Sequence, residues 1–419
     1  MKKSISILLA CVFILLSLPG CGDKTAPIHL PEQEPFLDPS GYVVNGVMSY
    51  PDYTFKEDPS VLELRLKAVK AFEDLLSIRW SLSEEITYNK TGPVSHKTFH
   101  HDADVTYAGT IYSNANTGLF QFLEYYDFET GRIRYPGSVE EFKESLGASC
   151  ADAMIWGLTT VCNSITGPYY PVSMVYKNGY LPVGDYTYDF NINSYNLYPT
   201  YKIVEENGKD VIIDAYTKVR PGDMFTSTPD NHGMMAISVP TVKYAEDGSV
   251  DLEASYVMIQ DQRAGGGDGF YEVKEGGEII RYSGRTSAKF TFQKLLEKSY
   301  LPVTTAEFAG TKEYEPCTAE ISTKCTTAAQ LPDATVSSNY PLAVVNIWAA
   351  DQFGAEYVID RKLFGGGNKG GVPREFSLKE MECLQSFADS PYCHESITIK
   401  VELVTATGQR FILAEVAGK

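Results

Sequence analysis

The sequence predicts an α+β fold followed by an all-β unit, and three observations carry that prediction. Apolar residues recur at helical steps between residues 58 and 80 and again between 149 and 161. From about residue 210 to 262 the period drops to two, the spacing of strands with one buried face. Beyond residue 311 strand-like segments follow one another with no helix between them. The chain divides accordingly into an export signal (1–20), a tether and irregular arm (21–57), an α+β domain (58–305) and a separate β-rich domain of sandwich type (311–419). With 419 residues and 43% hydrophobic content there is ample material for packed cores.

The first element is a targeting segment. Lys2 and Lys3 precede an apolar run, ISILLACVFILLSLPG, which stops at Cys21 and gives way to polar sequence. Leu18-Pro19-Gly20-Cys21 resembles the bacterial lipobox. That resemblance implies a lipid on Cys21, loss of Cys11 with the peptide, and a mature protein held through its lipid at the outer face of the cytoplasmic membrane; ordinary secretion is the alternative. No later stretch approaches the roughly 18 apolar residues of a spanning helix. Next, Asp58-Pro59 reads as an N-cap with proline at the first helical position, and Val61, Leu64, Ala68, Ala71, Leu75 and Ile78 continue the helical steps through Trp80.

Between Ser149 and Val161 apolar residues cover most of a helix surface, so this helix is expected to be buried on nearly all sides. The segments DVIIDAYTKV, GMMAISVPTVKY and ASYVMIQDQ read as strands, with AEDGSVD turning between the last two. AKFTFQKLLEKSY reads as a helix closing this unit near Tyr300. The tail then offers PLAVVNIWAA, GAEYVID and the hairpin SITIKVELVTATGQRFILAEV.

Composition bounds the partners. A net charge of −18, without any basic run, argues against nucleic acid. The 28 tyrosines and 34 glycines suit an extracellular, β-rich protein whose grooves offer aromatic walls to a polar ligand. Past Cys21 the cysteines are Cys150, Cys162, Cys317, Cys325, Cys383 and Cys393. An oxidising compartment allows the close pairs Cys317 with Cys325 and Cys383 with Cys393, among about fifteen formal connectivities. No spacing is C-x-x-C, and no metal site or organic cofactor is expected.

Cys150 falls in the first turn of the buried helix, where unpaired N–H groups and the helix dipole favour a thiolate. A nucleophilic cysteine needs a base and a group to orient that base. Of the histidines, His232 opens a strand in VRPGDMFTSTPDNHGMMAISV. A cysteine opening a helix, a Pro221-Gly222-Asp223 turn into a strand, and His232-Gly233-Met234-Met235 starting the next strand resemble the NlpC/P60 branch of the papain-like cysteine peptidases. The likeness covers roughly residues 60 to 300. It departs from the family in Ser149 before the cysteine and Ala151-Asp152 after it, and in a longer insertion after His232.

That resemblance implies a papain-like fold and a third residue on the strand after the histidine. IQDQ supplies Asp261, with Gln260 as the alternative; a carboxylate both orients the imidazole and stabilises the imidazolium. YAGTIYS is similar to a segment that lends the family's groove a tyrosine, here Tyr112. The activity implied is hydrolysis of peptide bonds in the peptidoglycan stem, by a peptidase or amidase.

Two alternatives stand beside this reading. Cys150 and Cys162 could instead form a disulfide, but twelve residues of helix rise about 18 Å, whereas disulfide Cα atoms lie within about 7 Å. Such a bridge would need the helix to break, for example at Gly157. The rival function is a non-catalytic surface lipoprotein that binds cell-wall glycan or peptide. FGGGNKGG and RAGGGDGF lack the context of a nucleotide cradle, and HHDAD at 100–104 reads as a solvated loop.

Overall fold

The computed structural model describes residues 43–44, 47–50, 53–55, 58–92, 95–113, 117–134, 146–165, 179–188, 199–262, 271–365 and 373–419. The export segment, Cys21, and most of both glycine-rich stretches lie outside the described residues. The arm expected to be irregular contains three short antiparallel strands, Val43–Val44, Val47–Tyr50 and Tyr53–Phe55.

Helix α1, Pro59–Ser77, starts where the cap signal places it: the Asp58 side chain accepts from Ser60 N at 2.8 Å. Its stripe of Leu64, Ala68, Phe72 and Leu75 is buried. The helix stops before Trp80, however, because Arg79–Trp80 pairs as a strand with Thr106–Ala108, and Trp80 Nε1 donates to Gly109 O at 2.8 Å. Tertiary pairing overrides the helical spacing there.

A short helix α2, Leu119–Leu123, precedes α3, Cys150–Thr159, in which every residue is buried as its composition requires. Gly157 does not break α3. A Cβ there would sit 2.9 Å from Phe72 Cβ and 3.2 Å from Ala68 O, so the missing side chain lets α1 and α3 cross closely.

These helices cover one face of a six-stranded antiparallel sheet built from β1 (Tyr180–Pro182), β2 (Met224–Ser227), β3 (His232–Ala236), β4 (Tyr256–Gln262), β5 (Gly284–Thr291) and β6 (Leu301–Thr305). The strand order is β1-β6-β2-β3-β4-β5. Met224, Met235 and Val303 face α1 and α3. On the opposite face, Phe225, Met234, Val257 and Ile259 pack on α4 (Thr200–Asn207), α5 (Lys209–Thr217) and α6 (Phe292–Glu297). The molecule is therefore mixed α+β, with helices on both faces of its main sheet.

One strand assignment and one helix assignment need correcting. DVIIDAYTKV forms α5, because Ile212, Ala215 and Tyr216 meet the sheet at helical spacing; a run of adjacent apolar residues fits either period, and packing decides. AKFTFQKLLEKSY begins as the end of β5 and turns helical only at Phe292, after Thr291 caps the helix by accepting from Lys294 N.

Beyond the main sheet, β7 (Ala319–Ile321), β8 (Thr335–Ser338) and β11 (Glu375–Ser377) form one sheet. The other contains β9 (Leu342–Ala350), β10 (Glu356–Leu363), β12 (Thr398–Thr405) and β13 (Arg410–Ala417). Val336 and Phe376 of the first share a core with Val345, Ile347 and Val401 of the second, alongside helix α7 (Glu382–Ala388).

This unit is docked onto the α+β part. Phe120, Leu123 and Trp156 join Ala343, Val344 and Val404 in one buried cluster. Beside it, Glu124 forms ion pairs with Arg410 Nη2 at 2.8 Å and with Arg361 Nη2 at 3.1 Å. At the far end of α3, Tyr340 O–H donates toward Val161 O at 3.3 Å, and Arg374 Nη2 donates to the Asn163 and Ile165 carbonyls.

The expected C-terminal disulfides are absent among the described residues: Cys317, Cys325, Cys383 and Cys393 carry thiols. Strand β7 lies between the first two, and each sulfur has its own surroundings. Cys317 Sγ sits 3.4 Å from Thr405 Oγ1, while Cys325 Sγ sits 3.6 Å from both Thr323 O and Gln330 O. Cys383 lies in the first turn of helix α7, its N–H donating to Asp360 Oδ2 at 2.7 Å, while Cys393 lies beyond the helix, its sulfur 3.1 Å from Gly418 O.

Candidate active site

The approach to Cys150 is shaped by a glycine. Gly147 has φ 95°, and a Cβ there would stand 2.1 Å from Ile111 O. Without it the chain runs against the 111–113 segment, with Ala148 N donating to Ile111 O at 2.9 Å and Tyr112 bridging Ala148. Ser149, extended at φ −80° and ψ 175°, then caps α3 and places Cys150 at its first helical position. The Ser149 hydroxyl bonds the Asp152 carboxylate, an acid in the first turn, where the dipole favours it.

Cys150 and Cys162 are both thiols. Cys162 lies beyond the end of α3, its sulfur 3.3 Å from Thr305 Oγ1, and burial pushes its thiol far up from the ordinary range. The staple reading fails on the helix geometry that the sequence implies.

His232 enters from the start of β3. The residue before it, Asn231, has φ 45°, a left-handed conformation that asparagine tolerates better than most side chains. The turn brings Asn231 O to 4.0 Å from Cys150 Sγ and sets the imidazole near enough to that sulfur for its charge to act on the ring. His232 Nε2 lies 2.7 Å from Asp261 Oδ2, so Nδ1 is the ring nitrogen that remains for the sulfur. The structure thus brings together Cys150, His232 and Asp261.

Gln260 is excluded from this group by strand alternation: its Nε2 donates to Val69 O of α1 at 2.7 Å, on the opposite face from Asp261. Tyr112 does reach the site, close enough to Cys150 for the two groups to act on each other electrostatically. Burial, and then the neighbouring Cys150 charge, push its phenol far up, so its proton stays on.

The electrostatics support a charged imidazole. Burial alone would pull His232 down, but the Cys150 charge and the bonds to Asp261 and Cys150 outweigh it and hold the ring's pKa up at about 9. Burial would raise Asp261, yet hydrogen bonds from Arg285 and His232 bring it down to about 2. At neutral pH the ring is an imidazolium between sulfur and carboxylate. An adjacent imidazolium and a helix N-terminus together stabilise a thiolate.

The turn that resembles a family motif has a structural job. Asp223 Oδ1 accepts Arg65 Nη1 of α1 at 2.7 Å, and the same guanidinium reaches Pro221 O and Phe308 O. Arg65 and Asp223 join α1 to the strand pair that carries His232. Two residues near the site had no distinct sequence signal. Arg285 grips Asp261, and Tyr300 O–H donates to Asp230 Oδ2 at 2.6 Å on the loop before His232. Only the cross-strand register, interrupted by a long insertion, would have paired Arg285 with Asp261.

Among the described residues no cluster of His, Cys, Asp and Glu is arranged to hold a metal ion, and no helix is long and apolar enough to cross a membrane. Asp102 of the HHDAD stretch bonds His100 and pairs with Arg281. A cavity of about 510 Å³ lined by Asp58, Glu63, Lys67 and Glu307 shares no residue with the Cys150 group. Compared with family models, curated proteins and solved structures, the chain finds no match.

Proposed function

We propose that the protein is a cysteine hydrolase of papain-like, NlpC/P60 type that cleaves peptide bonds of the peptidoglycan stem. In this reading it is held by a lipid on Cys21 at the outer face of the bacterial membrane, close to its substrate. The observation that carries the proposal is the chain of contacts from the sulfur of Cys150, at a helix start, through His232 to the buried carboxylate of Asp261.

The chemistry follows from that chain. The Cys150 thiolate attacks the amide carbon, an S–C bond forms, and the carbonyl electron pair moves to oxygen. The Cys150 backbone N–H, one of the first-turn donors without a helical acceptor, faces the developing oxyanion. His232 gives its proton to the leaving amine as the C–N bond breaks, leaving a thioester. The neutral imidazole then takes a proton from water, whose oxygen attacks the thioester, and the thiolate departs. Asp261 holds the ring orientation and offsets the imidazolium charge throughout. Tyr112, a neutral O–H beside the sulfur, contacts substrate.

Digestion of purified cell wall by wild type and by Cys150→Ala tests the reading. Fragments released by wild type alone support it. Equal release, or none from either while both bind the wall, favours a binding protein that keeps the fold without the chemistry.

A further inference from the structure

Asp261 is a side chain with a free torsion at its carboxylate, and a single bond to His232 would leave that carboxylate able to swing. Its partner across the β4–β5 pairing is Arg285, and the ladder shifts register between Ile259 and Asp261. Such an irregularity re-aims a side chain. The guanidinium spans both oxygens, with Nε 2.8 Å from Oδ1 and Nη2 2.6 Å from Oδ2. Oδ2 is also the atom that meets His232 Nε2. A fork of this kind fixes the plane of a carboxylate as one donor cannot. Arg285 is itself seated, its guanidinium carbon 5.4 Å from the centre of the Phe290 ring. Asp261 is fully buried, and Arg285 retains 23% exposure.

We propose that Arg285 is a positioning residue: by gripping Asp261 at two points it sets the plane in which His232 presents its other ring nitrogen to Cys150. This rests on the reading that Cys150 works as a thiolate paired with His232. The other titratable groups around the pair are Tyr112 and Asp152 on the cysteine side and Tyr300 and Asp230 on the histidine side. None of them contacts Asp261 as Arg285 does among the described hydrogen bonds.

The test needs no substrate. The rate of iodoacetamide labelling at Cys150, read on its own peptide by mass spectrometry, is measured from about pH 5 to pH 10 on the full-length protein. Wild type, Arg285→Gln, Arg285→Lys and Asp261→Asn are compared. Wild type is expected to react well below the ordinary thiol value of about 8.5. Arg285→Gln is expected to lose about tenfold in rate below neutrality, the equivalent of one pKa unit. Arg285→Lys keeps the charge without the fork and should show a smaller loss in the same direction.

Superimposable Arg285→Gln and wild-type profiles, with Asp261→Asn impaired, overturn the role of Arg285 and leave the Cys-His-Asp reading standing. A wild-type sulfur that reacts only as an ordinary thiol overturns that reading and this inference together. Should Arg285→Gln fail to fold, Arg285→Lys decides, and a profile identical to wild type rejects the proposal.

Discussion

Replacing Asp223 with alanine should destabilise the protein strongly without touching the chemistry. The side chains of Arg65 and Asp223 are 3% and 2% exposed, and their ion pair closes at 2.7 Å. Removing the carboxylate leaves the guanidinium with Pro221 O at 3.1 Å and Phe308 O at 3.0 Å, dipoles rather than a counter-charge. It also strips Arg220 N of the acceptor it has at 2.8 Å. Breaking a buried pair from one side costs about 3–5 kcal/mol, whereas replacing both partners with apolar groups is often close to neutral. Asp223→Ala should therefore lower unfolding free energy in urea by about that amount, and Arg65→Met with Asp223→Leu should recover most of it. In the folded fraction Cys150 labelling should stay within about twofold of wild type, a change of no more than about 0.4 kcal/mol. A loss under about 1 kcal/mol for Asp223→Ala, or a double variant weaker than the single one, would refute the assignment of this pair as the tie between α1 and the His232 strands.

Three further outcomes can be checked. Asp261→Asn should slow wall hydrolysis by about 10³–10⁴-fold, while Gln260→Ala should leave the turnover rate within about threefold and lower stability by about 1–3 kcal/mol through the lost bond to Val69 O; equal kinetic losses would count against the strand alternation. His232 holds its proton up to about 9. It can therefore protonate a leaving amine below that pH, and loses the ability as pH rises through it. Activity should fall on the alkaline side near pH 9, and the ring should titrate at lower pH, followed by NMR, when Cys150→Ala removes the charge that most favours the imidazolium; a ring unaffected by that change would contradict the pairing. Finally, alkylation without reductant should label Cys150 quickly and Cys162, with its sulfur buried behind Thr305, only on unfolding; a Cys150 protected until reductant is added would revive the disulfide.

The sequence made the helix at 59–77 legible because a cap, a proline and a clean apolar stripe agree. The start of α3 was equally plain, since Ser149 and the continuous apolar face leave little choice. His232 and Asp261 were reachable from strand ends, and alternation on β4 then separates Asp261 from Gln260. What the chain did not reveal depends on long-range register. Residues 210–217 carry apolar neighbours compatible with both periods, and only the sheet beneath them selects helix. Arg285 lies 24 positions from Asp261, behind an insertion whose length hides the pairing. The spacing of Cys317 and Cys325 suggested a bridge, but an intervening strand keeps the chain extended, a tertiary fact absent from spacing.

The docking of the β unit on the far end of α3 has a mechanical meaning. The helix is ten residues long, a shaft of about 15 Å. Its near end carries the sulfur, and past its far end the carbonyls of Val161, Asn163 and Ile165 are gripped by Tyr340 and Arg374. Tilting the β unit would turn the shaft and change the gap between thiolate and imidazole. Removing the chain beyond about residue 305, where the strand pattern suggests a seam, would leave Trp156 uncovered and the shaft without its rear bearing.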